Sequence, residues 1–206
     1  MEALFPLTYL GPIEYFALLT KYNRVRLERK EHFIKQSFRN RCEIVGANGI
    51  QRLSIPTKRK SRERTNYDEV GISRDENWNY LHWRALTTSY RSSPYFEYYE
   101  ADFERLYIDP DQTLYEFNLK LLKLVLSKLD FDISLEETEG FQKSYDIPDY
   151  RARFSSKVAT RHEFPRYIQV FEERIGFVSN LSILDLLFNE GPASKAYLLK
   201  VARLLK

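Results

Sequence analysis

The fold is decided by residues 3–29, which read ALFPLTYLGPIEYFALLTKYNRVRLER. The apolar run Ala3–Leu10 is typical of a buried strand, and the Gly-Pro pair that follows it predicts a turn. Ile13–Lys21 has helical spacing, whereas Arg24–Arg29 alternates between charged and apolar residues as a strand does. A strand, a short helix and a strand in this order predict a βαβ unit, in which the two strands pair in parallel.

A β-hairpin is predicted after the βαβ unit, and helices dominate the rest of the chain. Arg41–Val45 and Ile50–Ile55 read as strands, and the four-residue connection between them ends in Asn-Gly, which favours a hairpin. Apolar residues later recur at helical spacing. The predicted helices are Asn77–Arg91, Tyr95–Leu106, Thr113–Leu129, Leu181–Asn189 and Ala193–Leu205.

The segments between these elements are less regular. Glu69–Ile72 and Arg166–Phe171 read as strands, residues 57–66 as an exposed basic loop, and residues 130–164 mostly as loop. Asp111 is the predicted N-cap of the third helix, because a carboxylate there accepts hydrogen bonds from free amides. The predicted fold class is mixed α/β, with a partly parallel sheet, a βαβ opening and an inserted β-hairpin, flanked by helices. A chain of 206 residues is expected to form one domain, spanning 1–206.

Composition excludes several classes of protein. No stretch reaches the roughly 18 continuous apolar residues that a membrane span needs, and the first residues lack the features of a secretory signal. The lone Cys42 can form no internal disulfide and is predicted to be a small strand residue. These features predict a cytoplasmic protein. Three His without metal-ligand spacing predict no metal site, and no cofactor fingerprint occurs.

Gly11 is the first candidate binding residue, because it lies at the junction of the first strand and the first helix. Ligands bind beyond the carboxyl ends of strands in open α/β sheets, where helix N-termini offer free amides to anions. Neither a G-x-G-x-x-G motif nor a P-loop is present, so a plain turn is the alternative interpretation.

A basic segment between the predicted second and third strands is the second candidate. Arg provides bidentate donors for phosphate or carboxylate, and Lys provides a point charge. An anionic, hydrogen-bonding ligand such as a nucleotide sugar suits this composition, and a basic surface loop is the alternative. Nucleic acid is disfavoured, because the net charge is only +3 and no nucleic-acid-binding motif appears. The candidate ligand-binding residues here are His32, Lys35, Arg39, Asn40 and Arg41.

Two further candidates lie on predicted helices. His82 follows Trp78 by four residues and shares its apolar face, so it is either a general base or a hydrogen-bonded core residue. Arg84 points elsewhere on that helix and is a candidate substrate-binding residue or a solvated one. Asp185 lies in a Leu-rich helix with Asn189 four residues on, where it could orient a His, bind a ligand hydroxyl or act structurally.

Five motifs in fixed order support a family resemblance. They are Tyr9–Phe16, Phe33–Arg41, Trp78–Leu86, Ser92–Tyr99 and Asn180–Pro192. Together they resemble the WbqC-like protein family, over most of the chain. The resemblance implies a bacterial protein from a gene cluster for O-antigen or another polysaccharide, and some members are suggested to transfer glycine onto an amino sugar. Many members open with Gln-Pro before the aromatic motif, whereas the corresponding region here is Leu4–Tyr9, so no role of that Gln is carried over.

The resemblance and the residues together predict an aminoacyl- or acyltransferase that acts on a nucleotide-linked amino sugar. In this hypothesis His82 is the base, Asp185 orients it, and the basic segment binds phosphates, with Trp78, Arg84 and Gly11 also in the substrate site. A non-catalytic protein that binds a glycan precursor or a partner is the alternative. A nucleotidyltransferase is a third possibility, although the usual His pair near the first turn is missing.

Overall fold

The computed structural model describes residues 1–58, 65–154 and 163–205. Within these ranges the chain forms seven strands and seven α-helices. The strands are β1 Glu2–Pro6, β2 Arg24–Glu28, β3 Arg41–Gly46, β4 Gly49–Ser54, β5 Thr57–Lys58, β6 Gly71–Ile72 and β7 Ser134–Glu137. The helices are α1 Ile13–Leu19, α2 Trp78–Tyr90, α3 Phe96–Ile108, α4 Leu114–Lys128, α5 Glu172–Ile175, α6 Ile183–Glu190 and α7 Ser194–Leu204. The mixed α/β class is therefore confirmed.

The parallel sheet has the order β1-β2-β7, and both of its pairings are parallel. The predicted βαβ opening is confirmed, since β1 and β2 pair in register from Glu2 with Arg24 to Pro6 with Glu28. A parallel bridge between Leu4 and Asp149 adds a short extended segment on the free side of β1. Every residue of α1 is buried, because this helix packs between the sheet and the C-terminal helix α7.

The antiparallel hairpin β3–β4 also agrees with the sequence, but its turn is tighter than predicted. Gly46 pairs with Gly49, so only Ala47 and Asn48 form the loop. Gly49 has φ +107, a conformation that a residue with a Cβ rarely adopts. Cys42 is buried in β3, as predicted for a small strand residue, and burial raises the pKa of its thiol.

Two strand predictions are wrong. β7 lies in the region predicted as loop, because its sequence Ser-Leu-Glu-Glu carries a single apolar residue and lies at the exposed edge of the sheet. Arg166–Phe171 forms no strand and leads directly into the short helix α5. Its apolar residues pack individually: Tyr167 is buried, whereas Ile168 is exposed.

The predicted N-cap of α4 is also wrong. Thr113, not Asp111, occupies that position, and its side chain accepts a hydrogen bond from the amide of Glu116. The Glu116 carboxylate in turn accepts from the Thr113 hydroxyl. Asp111 instead forms an ion pair with Lys120 of α4. A Thr and a Glu three residues apart form the usual N-terminal signature of a helix, and this signature is present in the sequence.

The core is rich in aromatic side chains. Tyr9, Trp78 and Phe117 pack together between β1, α2 and α4, and Phe188 of α6 contacts three aromatic rings of α3 and one of α2. Edge-to-face contacts predominate, as expected from the quadrupole of an aromatic ring. Along the described residues, no helix is both long enough and apolar enough to cross a membrane.

Candidate functional site

The carboxyl edge of the parallel sheet carries a cluster of charges, three buried and one half-buried. β1, β2 and β7 run in the same direction, so their carboxyl ends lie at one edge, and the segment after Asp149 reaches the same edge. This edge is where open α/β sheets bind ligands. The charged residues that meet there are Glu28, Glu31, Arg39 and Arg151.

Glu28 is the last residue of β2 and is fully buried. Its Oε1 accepts hydrogen bonds from the hydroxyl of Thr138, at 2.8 Å, and from the backbone amide of Lys30, at 2.9 Å. Its Oε2 accepts from Nη1 of Arg151, at 3.0 Å. A buried carboxylate is tolerated only when it is paired and hydrogen-bonded, and Glu28 meets both conditions.

Arg39 is the second buried charge of the cluster. Its Nε and Nη2 donate to the two carboxylate oxygens of Glu31, each at 2.6 Å, and Nη2 also approaches the backbone oxygen of Arg151 at 3.4 Å. The third nitrogen, Nη1, is buried and has no hydrogen-bond acceptor among the described residues. Burial raises the pKa of Glu31, although Arg39 opposes the shift.

The basic segment predicted to bind a ligand is therefore divided between interior and surface. Arg39 points inward to Glu31, whereas Lys35 is exposed and has no ion pair or hydrogen bond with the described residues. His32 is exposed and stacks on Phe141, with ring centroids 6.4 Å apart. The Asn40 amide donates to the backbone oxygen of Ile55. The half-buried Arg41, at the start of β3, has an Nε without an acceptor in the described part of the chain.

His82 lies inside the protein, with 6% of its surface exposed. Its Nδ1 is 2.8 Å from the hydroxyl of Tyr9, which is itself 2.7 Å from the hydroxyl of Tyr107. Trp78 packs edge-on against the imidazole, at 5.2 Å between ring centroids. Burial lowers the pKa of His82 to about 4, and a hydrogen bond to the backbone of Ser54 opposes part of that shift. The imidazole is therefore neutral at physiological pH.

Asp185 is fully buried on α6 and is held by three other residues. Tyr90 donates to Oδ1 at 3.0 Å, whereas Tyr167 and Gln169 donate to Oδ2, the latter at 2.8 Å. Burial raises the pKa of Asp185 to about 6, against the effect of these hydrogen bonds. The structure therefore does not join Asp185 to His82: each has its own partners.

Asp185 is expected to make folding stability depend on pH. Its folded pKa of about 6 exceeds its ordinary value of 3.8, so the folded state favours the protonated carboxyl. The stabilisation is complete below the unfolded pKa and is lost as the pH rises through the folded pKa. The unfolding free energy of the wild type, minus that of Asp185→Asn, is expected to fall by about 2–3 kcal/mol between about pH 4 and pH 7.

Urea denaturation of both proteins across this pH range measures the difference. The Asn variant removes the titrating group and preserves the size of the side chain, so other titrating groups cancel in the subtraction. A difference that does not change with pH would show that the carboxyl of Asp185 does not titrate differently in the folded and unfolded states.

The structure supports the plain-turn interpretation of Gly11. The amide of Ile13 donates to the backbone oxygen of Leu181, and the amide of Glu14 donates to the side chain of Asn180. The first amides of α1 are thus already occupied by the chain itself. Gly11 is needed for close packing, since a Cβ there would lie 2.4 Å from Oγ1 of Thr8.

The N-terminus of α6 is capped by a side chain. Ser182 is the N-cap, and its hydroxyl accepts from the amide of Leu184. The helix ends at Gly191, which has φ +51, a positive value that favours glycine. His162 and most of the predicted basic loop lie outside the described residues.

Three residues of the charged cluster were missed from sequence. Glu28 was detectable in principle, because it ends a predicted parallel strand, the position from which ligand-binding residues project. Glu31 is separated from Arg39 by seven residues, and no periodicity links them. Arg151 lies in a segment predicted as loop, so its place beside β1 could not be inferred. In the described residues, no group of three or more His, Cys, Asp or Glu side chains is placed to hold a metal ion.

A three-stranded parallel sheet, an antiparallel hairpin and flanking helices define a mixed α/β protein. A family model described as the WbqC-like protein family matches residues 8–162. The chain therefore belongs to the WbqC-like protein family. It is also similar to an uncharacterized protein of Mycobacterium tuberculosis, with 24% identity over 89% of this chain and 91% of that protein. No solved structure matches this chain.

Proposed function

We propose that this protein transfers an acyl or aminoacyl group to the amine of a nucleotide-linked amino sugar, during synthesis of a bacterial surface polysaccharide. The observation that carries the proposal is the guanidinium of Arg39 at the carboxyl edge of the sheet. Its Nη1 is buried and has no acceptor among the described residues, whereas its Nε and Nη2 donate to the carboxylate of Glu31, whose pKa is raised. A free donor beside a basic carboxylate is the pair that acyl transfer needs.

The chemistry follows from these two groups. The sugar amine attacks the carbonyl carbon of an activated acyl donor, such as a thioester, so that a C–N bond forms. Nη1 of Arg39 donates a hydrogen bond to the carbonyl oxygen as it gains negative charge. Glu31 accepts the proton that the amine releases. The bond from carbon to the leaving group then breaks, and the leaving group departs with its electron pair.

Glu31 suits the role of base better than His82 does. A general base works best when its pKa lies near the operating pH. Burial raises the pKa of Glu31, although Arg39 opposes the shift, whereas burial lowers the pKa of His82 to about 4, away from its ordinary range. His82 is also enclosed by Tyr9 and Trp78, so we assign it to positioning Tyr9 in the core.

The phosphates of the nucleotide are assigned to Lys35 and Arg41. Lys35 is exposed and makes no ion pair with the described residues, and the Nε of Arg41 has no acceptor there. Lys35 lies four positions before Arg39, and Arg41 lies two positions after it. The same chain segment therefore supplies the cations for the phosphates and for the oxyanion.

The test measures binding and turnover with separate variants. The purified protein is incubated with UDP-glucosamine and an acyl or aminoacyl thioester, and mass spectrometry detects the acylated sugar. Glu31→Gln is expected to lower turnover at least about a hundredfold while the thermal shift with UDP-glucosamine persists. Lys35→Ala is expected to weaken that shift, whereas Lys200→Ala, at an exposed position on α7, leaves it unchanged. Turnover that is equal in Glu31→Gln and the wild type would remove Glu31 as the base.

A second candidate is a binding protein without catalytic activity. The observation that favours it is the closure of the cluster, because Glu28 and Arg39 are both fully buried. In that case the charges stabilise the fold, and only Lys35 and Arg41 meet the ligand. A thermal shift with UDP-glucosamine that Lys35→Ala removes, together with no product from any donor, would support this candidate.

A further inference from the structure

A groove lies between the tip of the β3–β4 hairpin and one face of α2. Its volume is about 530 Å³, within the range of roughly 300–1,000 Å³ that is usual for small-molecule sites. One wall is the turn from Gly46 to Gln51. The other wall is a stripe of α2 at helical spacing: Leu81, Arg84, Ala85, Thr88 and Ser89.

The groove contains polar side chains that the described part of the chain does not use. Arg84, Thr88, Asn48 and Gln51 are all exposed, and none has a hydrogen bond or ion pair with a described residue. Arg52, next to the groove, differs, because it pairs with Glu43. A guanidinium, two amides and a hydroxyl thus converge on one space without internal partners.

The rest of the lining is aliphatic or small. Leu81 and Ile50 are exposed by 55% and 43%, and Ala47 and Ala85 add small apolar surface. None of the described residues that line the groove carries a carboxylate, so none of them neutralises the charge of Arg84. The lining residues that the structure describes include no aromatic side chain either, which argues against stacking of a nucleotide base.

We propose that this groove binds a saccharide that carries a carboxylate or a phosphate. Amide and hydroxyl side chains match the alternating donors and acceptors of sugar hydroxyls. The C–H face of a sugar ring is apolar and suits Leu81 and Ile50. Arg84 supplies the bidentate donor that a carboxylate or a phosphate prefers.

This site is separate from the proposed transferase site. Its lining includes Arg84 but none of the clustered charges Glu28, Glu31, Arg39 and Arg151, and neither His82 nor Lys35. The inference therefore does not rest on the proposed function. Sugar binding in the groove and turnover at the transferase site are tested by substitutions of different residues. Either can therefore be lost while the other is still measured.

The experiment compares glucuronate, glucose 6-phosphate, glucose and inorganic phosphate by NMR titration of the full chain. We expect the NMR signals of the backbone amides of Gly46 and Gly49 to shift with either anionic sugar. The sugar that binds more tightly shows whether the groove prefers a carboxylate or a phosphate. Arg84→Gln is expected to weaken this binding by about tenfold or more, as loss of a charge-assisted hydrogen bond does. Thr88→Phe, which fills the groove from an exposed position, is expected to abolish it.

Two controls make the result specific. Arg91→Gln removes another exposed cation beside the C-terminus of α2, outside the groove, and is expected to leave the affinity unchanged. Lys200→Ala, at an exposed position on α7, is also expected to leave it unchanged. The inference is overturned if neither anionic sugar binds at millimolar concentration, if phosphate alone binds as tightly as glucose 6-phosphate, or if Arg84→Gln binds like the wild type.

Discussion

Replacing Arg39 with methionine is expected to lower the free energy of unfolding by about 3–5 kcal/mol. The guanidinium is fully buried and donates to both oxygens of Glu31, so its removal leaves a buried carboxylate without its cation. Methionine preserves much of the side-chain volume, and the loss is therefore mainly electrostatic. Urea denaturation at neutral pH, by circular dichroism, measures the change.

Two comparisons separate this effect from a general effect of removing an arginine. Arg52→Met breaks the exposed pair with Glu43 and is expected to cost no more than about 1 kcal/mol. Arg39→Met combined with Glu31→Gln removes both charges and is expected to recover part of the loss. The difference in unfolding free energy between Arg39→Met and the wild type should also become smaller at low pH, because Glu31 becomes protonated and no longer needs a cation. If Arg39→Met costs no more than Arg52→Met, the pair does not stabilise the fold.

The parts of the fold that sequence predicted correctly are those with strong periodicity. The βαβ opening was found because Val25 and Leu27 alternate with charged residues and both are buried in β2. The long helices were found because their apolar faces are regular. β7 was missed because its position at the sheet edge demands little burial, so its polar sequence resembles a loop.

The candidate site was predicted less well, because side-chain direction is a property of tertiary structure. Lys35 and Arg39 are four residues apart in one basic segment, yet Lys35 faces solvent and Arg39 lies in the core. What separates them is the carboxylate of Glu31, and nothing in the local pattern marks Glu31 as its partner. Composition therefore identified the basic segment, but only the fold shows which of its side chains are exposed and which are buried.

The expectation that Asp185 orients His82 shows the same limit. Both residues are buried on apolar helix faces, as the periodicity indicated. Periodicity does not show which buried polar groups meet. The hydroxyl that meets His82 belongs to Tyr9, which follows β1 in the chain. A hydroxyl that donates to Asp185 belongs to Tyr167, in a segment without regular structure. Buried polar groups find hydrogen-bond partners, but the sequence does not name them.

Replacing Gly191 with alanine is expected to lower the free energy of unfolding by about 3–5 kcal/mol. Gly191 has φ +51 and ψ −125, a region that is nearly restricted to glycine. A Cβ there would also lie 2.4–2.6 Å from three ring atoms of Tyr95, including Cγ at the base of the ring. The amide of Tyr95 donates to the backbone oxygen of Phe188, which holds the Tyr95 backbone in place, so the overlap is relieved only if the ring leaves its present rotamer.

Two other glycines isolate the causes. Gly176 has a similarly restricted backbone, with φ +78 and ψ 170, but nothing lies within 4 Å of an added Cβ. Gly176→Ala therefore measures the backbone cost alone, about 1–3 kcal/mol. Gly140→Ala has neither problem and is expected to be neutral. In thermal and urea unfolding, the loss of stability should be about 1–3 kcal/mol larger for Gly191→Ala than for Gly176→Ala. Adding Tyr95→Ala to Gly191→Ala should remove this extra loss, because the ring that overlaps the Cβ is then absent. Equal losses at Gly191 and Gly176 would mean that the ring of Tyr95 moves freely enough to absorb the overlap.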